Sequence, residues 1–165
     1  MLPDLVAPAP RVLFCVPAAG ACSVERGHYH SARGDAFWQL LHASGLVPVP
    51  LGPADDALLP RHGLGLCDLD RAPGGGWEVA ALRDLVRRTG PGWVALEGKG
   101  AAAAVAGRPQ PLGPVPWTLE GAPVFVLPSS SGANRRRDYD GRPDRLSWWR
   151  QLAGLVGAAA APGRG

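Results

Sequence analysis

The sequence predicts an α/β fold in three layers, α/β/α, around a central, mainly parallel sheet of four to five strands. Three observations carry this. Short apolar runs alternate along the chain with stretches of helical period. The first of these runs, Val12-Leu13-Phe14-Cys15-Val16, is continuous rather than alternating, which suits a strand buried on both faces. The chain has 165 residues, 46% hydrophobic and 19% charged, enough for one domain with a sizeable core and too apolar for wholesale disorder.

The elements follow in order. The first strand is expected over Arg11 to Val16, with a long loop after it to about Arg33. A helix starts at Asp35, a good N-cap, and stops before Gly45, with Phe37, Leu40, Leu41 and Ala43 on its apolar stripe. Asp55 to His62 reads as a second short helix and Leu64 to Leu69 as the second strand, followed by the turn Ala72-Pro73-Gly74-Gly75-Gly76. Val79, Leu82, Leu85 and Val86 place an amphipathic helix in Glu78 to Arg88. Trp93 to Leu96 is the third strand, Lys99 to Ala106 an Ala-rich helix and Pro123 to Leu127 the last strand. Arg142 to about Val156 closes the chain as a helix carrying Leu146, Trp149, Leu152 and Leu155. Residues 1–10 read as an N-terminal extension, 11–157 as the α/β domain and 158–165 as a flexible tail. There is no internal repeat.

Composition narrows the function classes. A formal net charge of +3 permits an anionic partner without demanding one. Arginines outnumber lysine sixteen to one, a bias that a GC-rich genome also produces. The 3 cysteines, Cys15, Cys22 and Cys67, are odd in number and form no CxxC pair. Neither a disulfide framework nor a four-thiolate iron–sulfur cluster is expected, and a reducing cytoplasm is the natural compartment. Residues 1–10 are interrupted by Pro3, Pro8, Pro10 and Asp4, unlike a signal peptide or a membrane span. Lys99 opens a helix without P-loop spacing around it. A monomer with no metal, no cofactor and no membrane partner is expected.

Two loops stand out. The first strand empties into Pro17-Ala18-Ala19-Gly20, then Arg26-Gly27-His28-Tyr29-His30 and Gly34-Asp35-Ala36-Phe37-Trp38. The last strand empties into Pro128-Ser129-Ser130-Ser131-Gly132-Ala133-Asn134-Arg135. Both lie beyond carboxyl ends of strands, where ligands bind in parallel α/β sheets. Small residues leave room for a flat ring against bare backbone, and hydroxyl-bearing glycine-rich turns suit phosphate.

These motifs resemble the uracil-DNA glycosylase superfamily. The likeness is to its mismatch-specific branch and still more to the hypoxanthine-DNA glycosylase relatives, often called family 6, over roughly Arg11 to Leu152. Val16-Pro17-Ala18-Ala19-Gly20 shares the Ala-Ala-Gly half of the hypoxanthine branch's first motif, so Ala18 occupies the slot where mismatch-specific enzymes carry a water-positioning Asn. Gly34-Asp35-Ala36-Phe37-Trp38 resembles the family's Gly-Asn-Arg/Lys-Phe-Trp, with Asp35 in place of the Asn. Gly63-Leu64-Gly65-Leu66-Cys67-Asp68-Leu69 resembles the Gly-hydrophobic-Thr-Asp-Leu strand, and Glu97-Gly98-Lys99 the Gly-Lys turn. Leu127-Pro128-Ser129-Ser130-Ser131-Gly132 resembles the Leu-Pro-Ser-Thr-Ser-Gly minor-groove loop.

The resemblance implies a monofunctional DNA glycosylase. Such an enzyme flips a deaminated base, hypoxanthine or uracil, out of the stack and hydrolyses its N-glycosidic bond, leaving an abasic site in base excision repair. It implies Asp35 as the catalytic carboxylate, with Asp68 in reserve. Ala18, Ala19, Gly20 and Ser23 would line the base pocket, with Tyr29 and His30 as the stacking face. Ser129, Ser131, Gly132, Ala133, Asn134 and Arg135 would meet DNA, with Ala133 at the position of the plug. The chemistry asks for a carboxylate. Positive charge develops on the sugar as the bond breaks, and an ionised carboxylate can steady it and orient water, though it accepts hydrogen bonds and cannot donate them. Asp35 before an apolar helix is also an ordinary N-cap. The departures at Ala18 and Asp35 motivate a second expectation, a catalytically weakened or inactive DNA- or damaged-base-binding module of the same fold. A third is an unrelated α/β enzyme acting on a free nucleotide or nucleoside, for which duplex DNA would not compete.

Overall fold

Five successive buried side chains, Val12 to Val16, make β1 (Val12–Pro17) the strand around which the sheet is built. The computed structural model describes residues 2–17, 21–69 and 76–160. β1 pairs in parallel with β2 (Leu64–Leu69) on one side, from Val12 opposite Leu64 to Pro17 opposite Leu69. On its other side it pairs in parallel with β3 (Val94–Glu97). Then come β5 (Ala122–Leu127), parallel to β3, and β4 (Gly113–Leu119), antiparallel to β5, so the order is β2-β1-β3-β5-β4. The chain leaves β1 to one side and returns to its other side as β3. A crevice therefore opens between the carboxyl ends of these two strands, the usual ligand position in such sheets.

The helices are α1 (Ala21–Arg26), α2 (Phe37–Ala43), a 3-10 helix (Pro53–His62), α3 (Val79–Thr89), α4 (Lys99–Ala106) and α5 (Leu146–Ala160). Phe14 of β1 stacks on Trp149 of α5 and meets Phe37 of α2 edge-on, both with centroids 5.5 Å apart. This aromatic cluster fixes α2 and α5 over one face. The core strands are buried on both faces, with helices forming the outer layers.

The observed elements differ from the sequence expectation at instructive places. β4 was not expected, because Gly113, Pro114 and Pro116 argue against a strand. It exists as an edge strand on which Pro114, Pro116 and Thr118 all face solvent. Its two-residue connection to β5, Glu120-Gly121, has positive φ at both positions, 49° and 83°, the requirement of a type I′ hairpin. The third strand ends one residue later than expected, at Glu97. α1 lies within the expected long loop. α5 begins at Leu146, because Arg142 is held in a turn by backbone hydrogen bonds with Tyr139. At the other edge, Leu5 exchanges both backbone hydrogen bonds with Leu66 of β2 at 2.9 Å, so residues expected as an extension partly cover the sheet edge. The expected turn at 72–76 falls mostly outside the described residues.

Candidate functional site

The crevice holds a cavity of about 250 Å³. Its walls come from the end of β1 (Val16, Pro17), the end of β3 (Glu97), the loop between α1 and α2 (Tyr29, His30, Ala32, Asp35), Ser23 of α1 and the loop after β5 (Ser129, Ser130, Ser131). The early and late loops thus meet at one sheet edge. Ala36 N–H donates to the Ser130 carbonyl at 2.9 Å, and Gly132 lies against Gly34 so closely that a Cβ there would fall 2.9 Å from the Gly34 carbonyl oxygen.

At the centre His30 is held between two carboxylates. Its Nδ1 donates to Asp35 Oδ2 at 2.9 Å, and its Nε2 lies 3.2 Å from Glu97 Oε2, an ion-pair distance without hydrogen-bond alignment. The ring stacks face to face on Phe37, centroids 4.0 Å apart and planes 4° from parallel. His30 has φ of +53°, a left-handed backbone uncommon for a residue with a side chain. Strained backbone of this kind clusters at functional sites. Side-chain exposure grades across the cluster: Glu97 2%, His30 8% and Asp35 13%. Asp35 is the most accessible of the three.

The charges follow from this geometry. Burial alone would lower the His30 pKa, but the Glu97 charge and the hydrogen bond to Asp35 outweigh it and push the value up to about 9. His30 is an imidazolium at neutral pH. Burial alone would raise Asp35, yet the hydrogen bond and charge of His30, together with the Phe37 N–H and the Ser130 hydroxyl, hold its carboxyl below the ordinary value. Asp35 Oδ1 accepts that Phe37 N–H at 2.9 Å at the start of α2. The helix was expected to start at Asp35 as its N-cap; it starts at Phe37 with Ala36 as the N-cap residue, and Asp35, one residue earlier, caps the first helical N–H with one oxygen while the other faces His30.

A surrounding shell fixes the early loop. Asp56 of the 3-10 helix, 5% exposed, accepts from Tyr29 N–H at 3.1 Å and bonds His28 Nδ1 at 3.1 Å. Ser23 Oγ accepts from Ser31 N–H at 3.1 Å. Tyr29 is buried and donates its hydroxyl to the Pro3 carbonyl at 3.1 Å, so it lines the cavity with its ring rather than its polar end. One face of the His30 ring is covered by Phe37, leaving at most the other for a stacked base.

In the late loop, the Ser129 and Ser131 oxygens accept from the Ser131 and Ala133 N–H groups. Asn134 Nδ2 donates to the Ser129 carbonyl at 2.8 Å, and Arg145 reaches the Ser129 and Ser131 carbonyls at 3.0 and 3.2 Å. Asn134 therefore braces the loop, while Ser131, Ala133 and Arg135 are exposed. Asp68 is placed elsewhere. It sits on the edge strand β2, opposite Val16 and beyond β1 from the crevice, and the second carboxylate among the described cavity residues is Glu97. Ala18, Ala19 and Gly20 lie outside the described residues. Sequence reasoning passed over Glu97, Asp56 and Arg145. Glu97 was legible only as part of a turn motif, and the signal that would have found it is a lone carboxylate ending a buried strand.

Fold and cluster together define an α/β protein with a charged, ring-sized pocket at its switch point, flanked by a hydroxyl-rich loop. The uracil DNA glycosylase superfamily model matches residues 3–153, and the chain belongs to that superfamily. It is also similar in fold to the solution NMR structure of a Methanosarcina acetivorans protein provisionally called a uracil DNA glycosylase. That likeness has 19% identity and a TM-score of 0.62, and covers 92% of this chain and 96% of the other.

Proposed function

We propose that this protein is a monofunctional DNA glycosylase that flips a deaminated base, hypoxanthine or uracil, into the crevice and hydrolyses its N-glycosidic bond. The observation that carries the reading is the buried cluster Asp35, His30 and Glu97. With two carboxylates about one imidazolium it has a net negative charge, and it stands in a ring-sized cavity beside a loop suited to phosphate.

Each part has a chemical task. As the glycosidic bond lengthens, the sugar becomes cationic, and an acidic cluster steadies that charge more strongly where water is excluded. Asp35 is the member best placed to orient the attacking water and to steady the cationic sugar, because it is held ionised and is the most exposed. His30 has both ring nitrogens turned to carboxylates, so its task is to hold the two acids in place rather than to donate to the leaving base. Ser131, Ala133 and the arginines 135–137, all exposed on the late loop, would take the phosphate backbone.

The test incubates the protein with labelled duplexes carrying hypoxanthine, uracil or xanthine and cleaves abasic sites with alkali, wild type beside Asp35→Ala. The expected result is cleavage by wild type that falls about a hundredfold or more in the variant, the scale of acid–base and electrostatic roles. Undiminished cleavage by Asp35→Ala would move the chemistry to another residue. A folded wild type that binds DNA and cleaves neither duplex nor single strand would make the protein a binding module of this fold.

A further inference from the structure

We propose that Glu97 reads the flipped base, accepting the ring N–H that deamination creates and facing the lone pair of an undamaged adenine or cytosine. This rests on the glycosylase reading and specifies how its pocket would select a substrate.

Asp35 uses one oxygen for the Phe37 N–H and the other for His30, and Ser23 Oγ holds the Ser31 N–H. Glu97 differs. It ends β3, is 2% exposed and lines the cavity, yet neither carboxylate oxygen has an aligned hydrogen-bond donor among the described residues. Burying an acceptor in that condition is costly, and it persists in native structures where something outside the fold satisfies it. The His30 imidazolium 3.2 Å from Oε2 compensates the charge and engages that oxygen at most, leaving Oε1 with no donor among the described residues. A ligand in the cavity that brings an N–H would supply one.

Deamination produces such a ligand. Adenine presents a lone pair at N1 and cytosine one at N3. Converting the exocyclic amine to a carbonyl moves a proton onto that ring nitrogen, giving N1–H in hypoxanthine and N3–H in uracil. A carboxylate only accepts, so it attracts the deaminated edge. Adenine's amine offers a donor one position away, but its N1 lone pair then faces the second oxygen. A site built around one buried hydrogen bond rejects the analogue lacking it far more strongly than shape alone does.

The experiment measures single-turnover excision and equilibrium binding on duplexes differing only in hypoxanthine against adenine, using wild type, Glu97→Gln, Glu97→Asp and Asp35→Ala, with each fold verified by thermal melting. Wild type is expected to prefer hypoxanthine by about 10⁴-fold in excision. Glu97→Gln has an amide able to donate to N1 of adenine, so its preference should narrow by at least about tenfold in both readouts, the weight of one hydrogen bond. Glu97→Asp, which keeps the charge on a shorter arm, should lose excision but still reject adenine, and it serves should the Gln variant fail to fold. Asp35→Ala should lose excision while keeping the binding preference, which separates selection from chemistry. An unchanged preference in folded Glu97→Gln, or one lost in Glu97→Asp, overturns the assignment. If wild type cleaves nothing, the glycosylase reading falls and binding alone decides. A hypoxanthine preference abolished in Glu97→Gln then supports base reading by Glu97, and no preference in wild type overturns it.

Discussion

Raising the pH should destabilise this protein through His30. The ring's pKa is about 9 in the folded state, against about 6.5 for an unperturbed histidine. The folded state therefore binds the proton more tightly. The stability this contributes is fully present below pH 6.5 and is lost as pH rises through 9. Between those limits the slope approaches one proton, about 1.4 kcal/mol per pH unit, and the whole contribution is about 3 kcal/mol. The side chain is 8% exposed, so solvent screens little of it. Asp35 has the opposite sign: its lowered pKa adds stability above its unfolded value that disappears as pH falls through the folded one. The assay is urea unfolding followed by tryptophan fluorescence at intervals from pH 6 to 10, on wild type and His30→Gln. Groups remote from the cluster titrate alike in both proteins, so the difference between the curves reports His30 together with the two carboxylates it holds. The wild type should lose about 3 kcal/mol more than the variant between pH 6.5 and 9. Parallel curves would refute the reasoning and mean that His30 is neutral in the folded protein at neutral pH.

Gly132→Ala should displace the late loop, because the added Cβ would sit 2.9 Å from the Gly34 carbonyl oxygen and 3.0 Å from its carbon, backbone that cannot swing aside. Duplex affinity should fall at least about tenfold with a smaller change in melting temperature, and an unchanged dissociation constant would count against a DNA-facing loop. Arg135→Ala should lower affinity for all duplexes alike and reduce the slope of log affinity against log salt by about one, as loss of a phosphate contact does; a change in base preference instead would place Arg135 in base reading. In the core, Trp149→Ala should cost about 3–5 kcal/mol by calorimetry or urea unfolding. Trp149→Phe should cost far less, because Phe keeps the stack on Phe14 and removes an indole N–H with no hydrogen-bond partner among the described residues.

The sheet was legible because its strands are short apolar runs at the expected places. Leu64–Leu69 and Lys99–Ala106 match the expected boundaries residue for residue. What was missed has a physical reason in each case. β4 is an edge strand, and an edge needs hydrogen bonds on only one side, so it admits the two prolines that would break an interior strand. α1 has six residues, too short to show a helical period. The fold also places the early and late loops together as the pattern of strand ends implied, since strands running in one direction put their exits on one edge. Side-chain function was less legible. Asp35 and His30 were found by position in a motif, but what they do depends on Glu97, which lies 62 residues beyond Asp35 and is linked to it through His30 once the fold brings the end of β3 to the early loop.

That dependence also explains why the departures from the family pattern belong together. The family this chain resembles has a neutral Asn in the slot of Asp35. Taken singly, an aspartate there would lack its cationic partner, and burial would favour the neutral form of His30. Glu97 alone would be a carboxylate at the end of a buried strand with no compensation. Together they form a minus-plus-minus unit in which each charge is stabilised by its neighbour. Removing one partner of a buried pair strands the other, at about 3–5 kcal/mol. Asp35, His30 and Glu97 are thus one electrostatic unit in which each member is stabilised by the others. Read slot by slot, Asp35 looks like a damaged active site. In three dimensions it is one oxygen of a helix cap, one end of a charged bridge, and the most accessible acid of the crevice.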